Sequence, residues 1–166
     1  PNAFEGLSKL EYLYISVNLK SVMGGREFAG LENLRELDII GAGSETFSKN
    51  FFSYFRRAHL ISIRNSTITS LIPSQFYGAN ELSTLIIHGC KKLRELSKDA
   101  FLGLDKLYNA TLVENNLEIL GDGLFSSNQR LNYVDLSKNN LSSISPKVFS
   151  NVNLENLSQV RVGCNA

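Results

Sequence analysis

The chain has 166 residues, a length that suits one domain. Its 17 Lys and Arg residues nearly balance its 16 Asp and Glu residues, so the net charge is +1. No Lys or Arg run resembles a nucleic-acid or membrane footprint, and no apolar run is long enough to cross a bilayer. The composition therefore gives no indication of a polyanion as partner.

Short apolar segments of the form L-x-x-L-x-L recur along the whole chain, 24 to 26 residues apart. Alternate residues of a strand face the same side, so each segment predicts a short strand with an apolar inner face. In chain order, the predicted strands start at Leu10, Leu34, Ala58, Leu82, Leu107, Leu131 and Leu157.

Seven phenylalanines keep the same period, with a single step of 25 residues. All three prolines of the chain lie three residues before one of them. Because one such unit cannot bury its own apolar face, we predict stacked units with the phenylalanines in one buried row. These residues are Phe4, Phe28, Phe52, Phe76, Phe101, Phe125 and Phe149.

The segments LYNATLVENNLEILGDGLF (107–125) and LNYVDLSKNNLSSISPKVF (131–149) resemble the leucine-rich repeat family in its 24-residue extracellular form. The resemblance covers the whole chain and is nearest to insect leucine-rich immune proteins and Toll-like receptor ectodomains. It implies an α/β-type leucine-rich repeat solenoid, a curved horseshoe. About seven short parallel strands would form its concave face, with loops and short helical turns on the convex face. Residues 1–166 would be a single domain of six full and two partial repeats.

At the ninth position of each unit, this family points a side chain inward to bond the backbone of neighbouring turns. Asn139 should therefore face the core and Asn140 the solvent. Ala42 cannot make such a bond, so the unit containing IIGAGSETF (39–47) should be irregular. SVNLKSV (16–22) is one residue short and GCKKLREL (89–96) one residue long, which predicts altered turns. The ninth positions are Asn18, Ala42, Ser66, Cys90, Asn115, Asn139 and Asn165.

The first and last segments read as partial repeats. Residues 1–9 correspond to the convex half of a unit, and residues 157–166 to a strand half. The cysteine-bearing caps of extracellular family members are absent from the sequence. Since an uncapped end exposes a sheet edge, we expect a larger parent protein or a partner that covers the ends.

Cys90 and Cys164 lie three repeats apart, roughly 15 Å by strand spacing. A disulfide needs Cα atoms within about 7 Å, so we predict that these cysteines do not bond each other. Cys90 should be a small buried residue, whereas Cys164 could pair with another segment. Two cysteines and two histidines give no credible metal set, and we expect no metal and no cofactor.

Both histidines, His59 and His88, should project from the sheet into solvent. Neither has a nucleophile in motif context, and the sequence shows no glycine-rich phosphate loop and no close carboxylate pair. We therefore predict a binding protein rather than an enzyme.

Four sequons match the N-glycosylation motif. Together with the extracellular repeat type, they indicate a secreted or extracellular glycoprotein. Asn109 falls on the concave sheet, where a glycan would cover the C-terminal part; the alternative is that Asn109 is never glycosylated. The four candidates are Asn65, Asn109, Asn140 and Asn156.

Aromatic, aliphatic and charged residues cluster at the outward positions of the N-terminal strands, a composition typical of binding hot spots. We predict a concave binding patch for a protein or glycoconjugate. The alternative is an ordinary mixed sheet face, with the partner docking on an edge or the convex side. The patch comprises Tyr12, Tyr14, Asp38, Ile40, Leu60, Arg64, Ile86 and His88.

Three classes of function stay open at this point. The first is a secreted recognition module, as in innate immunity. The second is a structural or adhesion unit that self-associates through its ends. The third is a cytosolic scaffold or bacterial effector, which the sequons disfavour.

Overall fold

A computed structural model describes residues 3–16 and 25–165. Within them, seven parallel strands form one sheet in the order β1-β2-β3-β5-β7-β9-β10, which confirms the predicted solenoid. These strands are β1 (Tyr12–Ser16), β2 (Glu36–Ile40), β3 (Leu60–Arg64), β5 (Thr84–His88), β7 (Asn109–Thr111), β9 (Tyr133–Asp135) and β10 (Gln159–Arg161).

Each strand is shifted by one repeat relative to the next, so equivalent positions form straight rows. Leu37 pairs with Ile61, which in turn pairs with Leu85, and all three are fully buried. The fourth and sixth positions face inward, as the alternation predicts. The outward positions consequently share one concave face.

The predicted phenylalanine row exists, with one departure between the first units. Phe52, Phe76, Phe101 and Phe125 follow one another with ring centroids 4.6, 6.2 and 5.4 Å apart. Between Phe28 and Phe52 the row runs through Phe51, at 5.3 and 4.8 Å. The two end members, Phe4 and Phe149, are only partly buried, because each has a ring neighbour on one side alone among the described residues.

The second unit is irregular on its convex side, as predicted. Phe47, Phe51, Phe52 and Phe55 are all buried there, so extra aromatic rings fill its interior. The described part of the chain has three short 3-10 helices, all on the convex side: Arg26–Phe28, Phe51–Tyr54 and Pro146–Phe149.

The ninth-position residues bond adjacent turns, as the resemblance implies. Asn139 is buried and its Nδ2 donates to Leu112 O at 2.7 Å, while Asn140 is exposed. Ser66 Oγ accepts a hydrogen bond from the Ala42 N–H at 3.1 Å, in the same way that Asn115 Oδ1 accepts one from the Cys90 N–H at 2.9 Å. Asn18 lies outside the described residues.

A second, smaller parallel sheet was not predicted. It joins β4 (Ser70–Leu71), β6 (Glu95–Leu96) and β8 (Ile119–Leu120). The extra residue of GCKKLREL is absorbed in a turn that the Leu93 N–H closes on Cys90 O at 2.9 Å, so the stack stays intact. Of SVNLKSV, only Ser16 belongs to the described residues.

Both cysteines are free thiols, Cys90 buried and Cys164 exposed, which confirms that they are not bonded to each other. A search of residues 3–16 and 25–165 finds no helix with the length and apolarity of a membrane span.

Candidate binding surface

The eight residues of the predicted patch come together on the concave face. They project from the four adjacent strands β1, β2, β3 and β5, two from each strand. We refer to this set as the docking surface: Tyr12, Tyr14, Asp38, Ile40, Leu60, Arg64, Ile86 and His88.

Two exposed tyrosines form the N-terminal side of the docking surface. Tyr12 and Tyr14 are 61% and 64% exposed, so most of each side chain is open to a partner. The strand register sets Tyr12 opposite Glu36 and Tyr14 opposite Asp38. Each aromatic ring therefore has a carboxylate as its cross-strand neighbour.

Polar and charged side chains of this face lie close to one another. Arg64 Nε lies 3.5 Å from Asp38 Oδ1 and donates to Ser62 Oγ at 2.7 Å. His59 Nε2 lies 3.5 Å from Glu36, and His88 Nε2 lies 3.6 Å from Glu114. Such exposed pairs add little stability, but they orient the side chains that a partner would meet.

Not every side chain of the concave face is open to solvent. Ser62 and Asp135, at the fifth positions of their units, are buried. The longer neighbouring side chains explain this. Arg64 reaches back to Ser62, while the Tyr133 hydroxyl donates to Asp135 Oδ2 at 3.0 Å.

Asp135 and Glu114 have pKa values below their ordinary values. Burial raises the pKa of Asp135, but hydrogen bonds from Ser137 and Tyr133 and the charge of Arg161 together outweigh it. For Glu114, the hydrogen bond from Lys138 is the main cause of the lower pKa. Both carboxylates are thus ionised at neutral pH and carry fixed negative charge.

His59, just ahead of β3, is exposed, whereas His88, the last residue of β5, is half-buried; each lies near a carboxylate. Among residues 3–16 and 25–165, no group of three or more His, Cys, Asp or Glu side chains is arranged to hold a metal ion.

A cleft beside the docking surface was not predicted from the sequence. It encloses about 430 Å³ and lies at the start of the strands, where Arg35, Arg57 and His59 line it together with Glu11 and Glu81. The Arg57 guanidinium donates to the Asn33 side chain at 2.6 Å. The sequence signal that could have indicated this cleft is the set of polar and charged residues that precede successive strands at intervals of one repeat.

The four sequons differ in their surroundings. Asn65 and Asn140 are exposed. Asn156 is also exposed, but its Nδ2 donates to Gln129 O at 3.0 Å. Asn109 is half-buried on β7 and lines a depression in the C-terminal half of the concave face.

Comparison with family models gives two matches that together cover most of the chain. Residues 45–161 match a BspA type leucine rich repeat region with 6 copies, and residues 1–41 match a leucine rich repeat.

Individual proteins with similar sequences are receptors. The high affinity nerve growth factor receptor of Gallus gallus is 30% identical over 60% of this chain. Toll-like receptor 7 of Mus musculus is 28% identical over 98% of the chain. The chain spans only 13% and 17% of the length of these relatives.

The fold is also similar to that of a solved receptor structure. The TLR13-ssRNA13 complex superposes with a TM-score of 0.83 and 26% identity, over 96% of this chain and 22% of that chain.

Proposed function

Because the chain belongs to the leucine-rich repeat family, we propose that it is a non-catalytic binding module of an extracellular receptor or secreted protein. It would recognise a protein or glycoconjugate partner through the docking surface. The process in which this recognition would take part is innate immunity. The observation that carries this proposal is the pair of exposed tyrosines, Tyr12 and Tyr14, beside ion-paired Asp38 and Arg64.

The composition of the docking surface suits macromolecular recognition. Tyrosine and arginine dominate binding hot spots, because they combine a large contact area with polar groups. The ion pair with Asp38 already restricts the Arg64 side chain, so binding would cost less side-chain conformational entropy. Ile40, Leu60 and Ile86, all half-buried, add apolar area between the charged groups.

The charges favour a protein over a nucleic acid as partner. Binding of RNA requires cations that neutralise phosphates. Arg64 is the one permanent cation of the docking surface, and Asp38 already offsets it. We therefore do not propose an RNA ligand for the docking surface, although the TLR13 complex contains ssRNA. The similar nerve growth factor receptor is named for a protein ligand.

An extracellular location is part of the proposal. The similarity to Toll-like receptor 7 and the four sequons support it. Asn65 and Asn140 are both exposed and open to glycosylation. A glycan on Asn65 would lie at the edge of the docking surface, because Asn65 follows Arg64 and its N–H donates to His88 O at 2.9 Å. Mass analysis of the chain secreted from eukaryotic cells, before and after glycan removal, tests this part.

The test of function is capture of the natural ligand from extracellular fluid by the immobilised chain, followed by affinity measurements on variants. Tyr14→Ala and Arg64→Ala should each weaken binding by about 2 kcal/mol or more if they are hot spots. Tyr77→Ala is the matched control, since Tyr77 is 65% exposed and lies outside the docking surface. Equal binding by all three variants would place the partner elsewhere.

A further inference from the structure

The C-terminal half of the concave face holds a shallow depression of about 380 Å³ that is chemically unlike the docking surface. Its lining contains no charged side chain. The strand register sets Thr84, Asn109, Tyr133 and Gln159 in one row across β5, β7, β9 and β10. Thr111 and Ile86 form a second, parallel row.

Four of these side chains have unused hydrogen-bonding groups. Thr84, Asn109, Thr111 and Gln159 make no side-chain hydrogen bond within the described residues. The two amides and two hydroxyls supply both donors and acceptors. Tyr133, half-buried in the middle of the row, is anchored through its hydroxyl to Asp135 at 3.0 Å, which fixes its ring.

We propose that this depression is a binding site for a neutral saccharide of one or two rings. A sugar presents dense hydroxyl donors and acceptors, which match uncharged amides and hydroxyls, and an apolar C–H face, which matches an aromatic ring. The volume lies at the lower end of the range for small-molecule sites, about 300–1,000 Å³. This site is separate from the docking surface except for Ile86, and the proposal does not depend on a partner there.

Other ligand classes fit the lining less well. An anion or a nucleic acid would meet one bordering cation, Arg161, whose Nη1 lies 3.5 Å from the Tyr133 hydroxyl. Asp135 Oδ2, 3.9 Å from the same Nη1, already offsets its charge. An apolar ligand would find one aliphatic side chain, Ile86, and would leave four polar groups without water or partner. A neutral peptide is the nearest competitor, and the experiment includes one.

A glycan attached to Asn109 would fill the same depression. The experiment therefore has to distinguish a soluble saccharide from this attached glycan. The chain produced in bacteria, which carries no N-glycan, tests soluble saccharides. The chain secreted from eukaryotic cells, as parent and as Asn109→Gln, tests the attached glycan. If a glycosylated Asn109 leaves soluble-sugar affinity unchanged, the proposed site is wrong.

The measurement is NMR titration of the bacterial chain with cellobiose, maltose, lactose and N,N′-diacetylchitobiose. At least one should shift the side-chain amide signals of Asn109 and Gln159 and the ring signals of Tyr133. Thr111→Val keeps the side-chain shape but removes a hydroxyl, and it should weaken binding about fivefold, as should Asn109→Ala. Tyr77→Ala, at an exposed position outside both the depression and the docking surface, should leave binding unchanged.

Two matched probes complete the design. Glucose 6-phosphate tests charge and triglycine tests a neutral peptide, and both should bind more weakly than the best disaccharide. The proposal is overturned if no disaccharide shifts these signals, if either probe binds as tightly, or if Thr111→Val and Asn109→Ala bind like the parent.

Discussion

The Asn115 side chain joins two turns of the solenoid by accepting the backbone N–H of Cys90 at 2.9 Å. Its Nδ2 donates to Ile87 O, also at 2.9 Å, and the side chain is buried. The turn backbone after β5 thus has its polar groups satisfied by a residue 25 positions further along the chain. This bond is the physical reason for a polar side chain inside an otherwise apolar core.

Replacement of Asn115 by Ala should destabilise the protein severely. The variant leaves the Cys90 N–H and the Ile87 carbonyl buried without a partner, at about 1–3 kcal/mol for each. We expect the free energy of unfolding to fall by about 2–6 kcal/mol, measured by urea denaturation. Asn140→Ala is the control, since Asn140 is exposed, and it should stay within about 0.5 kcal/mol of the parent.

Phe76→Ala should remove a central member of the phenylalanine row. The ring is 1% exposed and lies 4.6 Å from Phe52 and 6.2 Å from Phe101, centroid to centroid. We expect a loss of about 3–5 kcal/mol in the free energy of unfolding, because the cavity cannot collapse between two rings. The adjacent Tyr77→Ala, at an exposed position, should change little. A loss below about 1 kcal/mol for Phe76→Ala would mean that the ring is not part of the core.

The repeat spacing was sufficient to predict where the strands lie, whereas their parallel order and the ninth-position bonds were implied by the resemblance to the leucine-rich repeat family. Each residue pairs with the equivalent residue of the next repeat, because this register stacks the apolar positions on one another. Periodicity also placed Tyr14 and Arg64 on the same face, because alternation alone decides the side of a strand.

Details that depend on neighbouring side chains could not be predicted in this way. Ser62 is buried because the Arg64 side chain reaches back over it, which depends on rotamers rather than on spacing. Phe51 enters the phenylalanine row although it is outside the 24-residue period. The strands of the smaller sheet are two residues long, too short for a periodic signal.

Two glycines at the same repeat position offer a matched test of backbone strain and crowding. Gly78 and Gly103 both have left-handed backbone angles, φ +91° and +87°. A Cβ at Gly78 would lie 2.7 Å from the Ser53 Cα, whereas nothing lies within 4 Å at Gly103. Gly103→Ala should cost about 1–2 kcal/mol from strain alone, and Gly78→Ala about 1–3 kcal/mol more, because the backbone has to move. Equal melting temperatures for the two variants would contradict the close approach at Ser53.

Cys90 should make the protein less stable in alkaline solution. Burial raises the pKa of its thiol to about 11, despite the opposing effect of a hydrogen bond at Ser66. Between about pH 9 and 11 the unfolded chain therefore loses the thiol proton while the folded protein keeps it. The stabilising contribution is complete below pH 9 and is lost as the pH rises through 11, by up to about 2–3 kcal/mol for two pH units.

Denaturation curves of the parent and Cys90→Ala, measured from pH 8 to 11, isolate this contribution from the tyrosines and lysines that titrate in the same range. The variant should be less stable at pH 8, because a buried side chain is truncated, but its stability should fall less steeply with pH. A thiol reagent at pH 8 provides an independent check, since exposed Cys164 should react at once and Cys90 only on unfolding. Parallel pH curves for the two proteins, or two fast thiols in the folded state, would show that Cys90 is accessible to water.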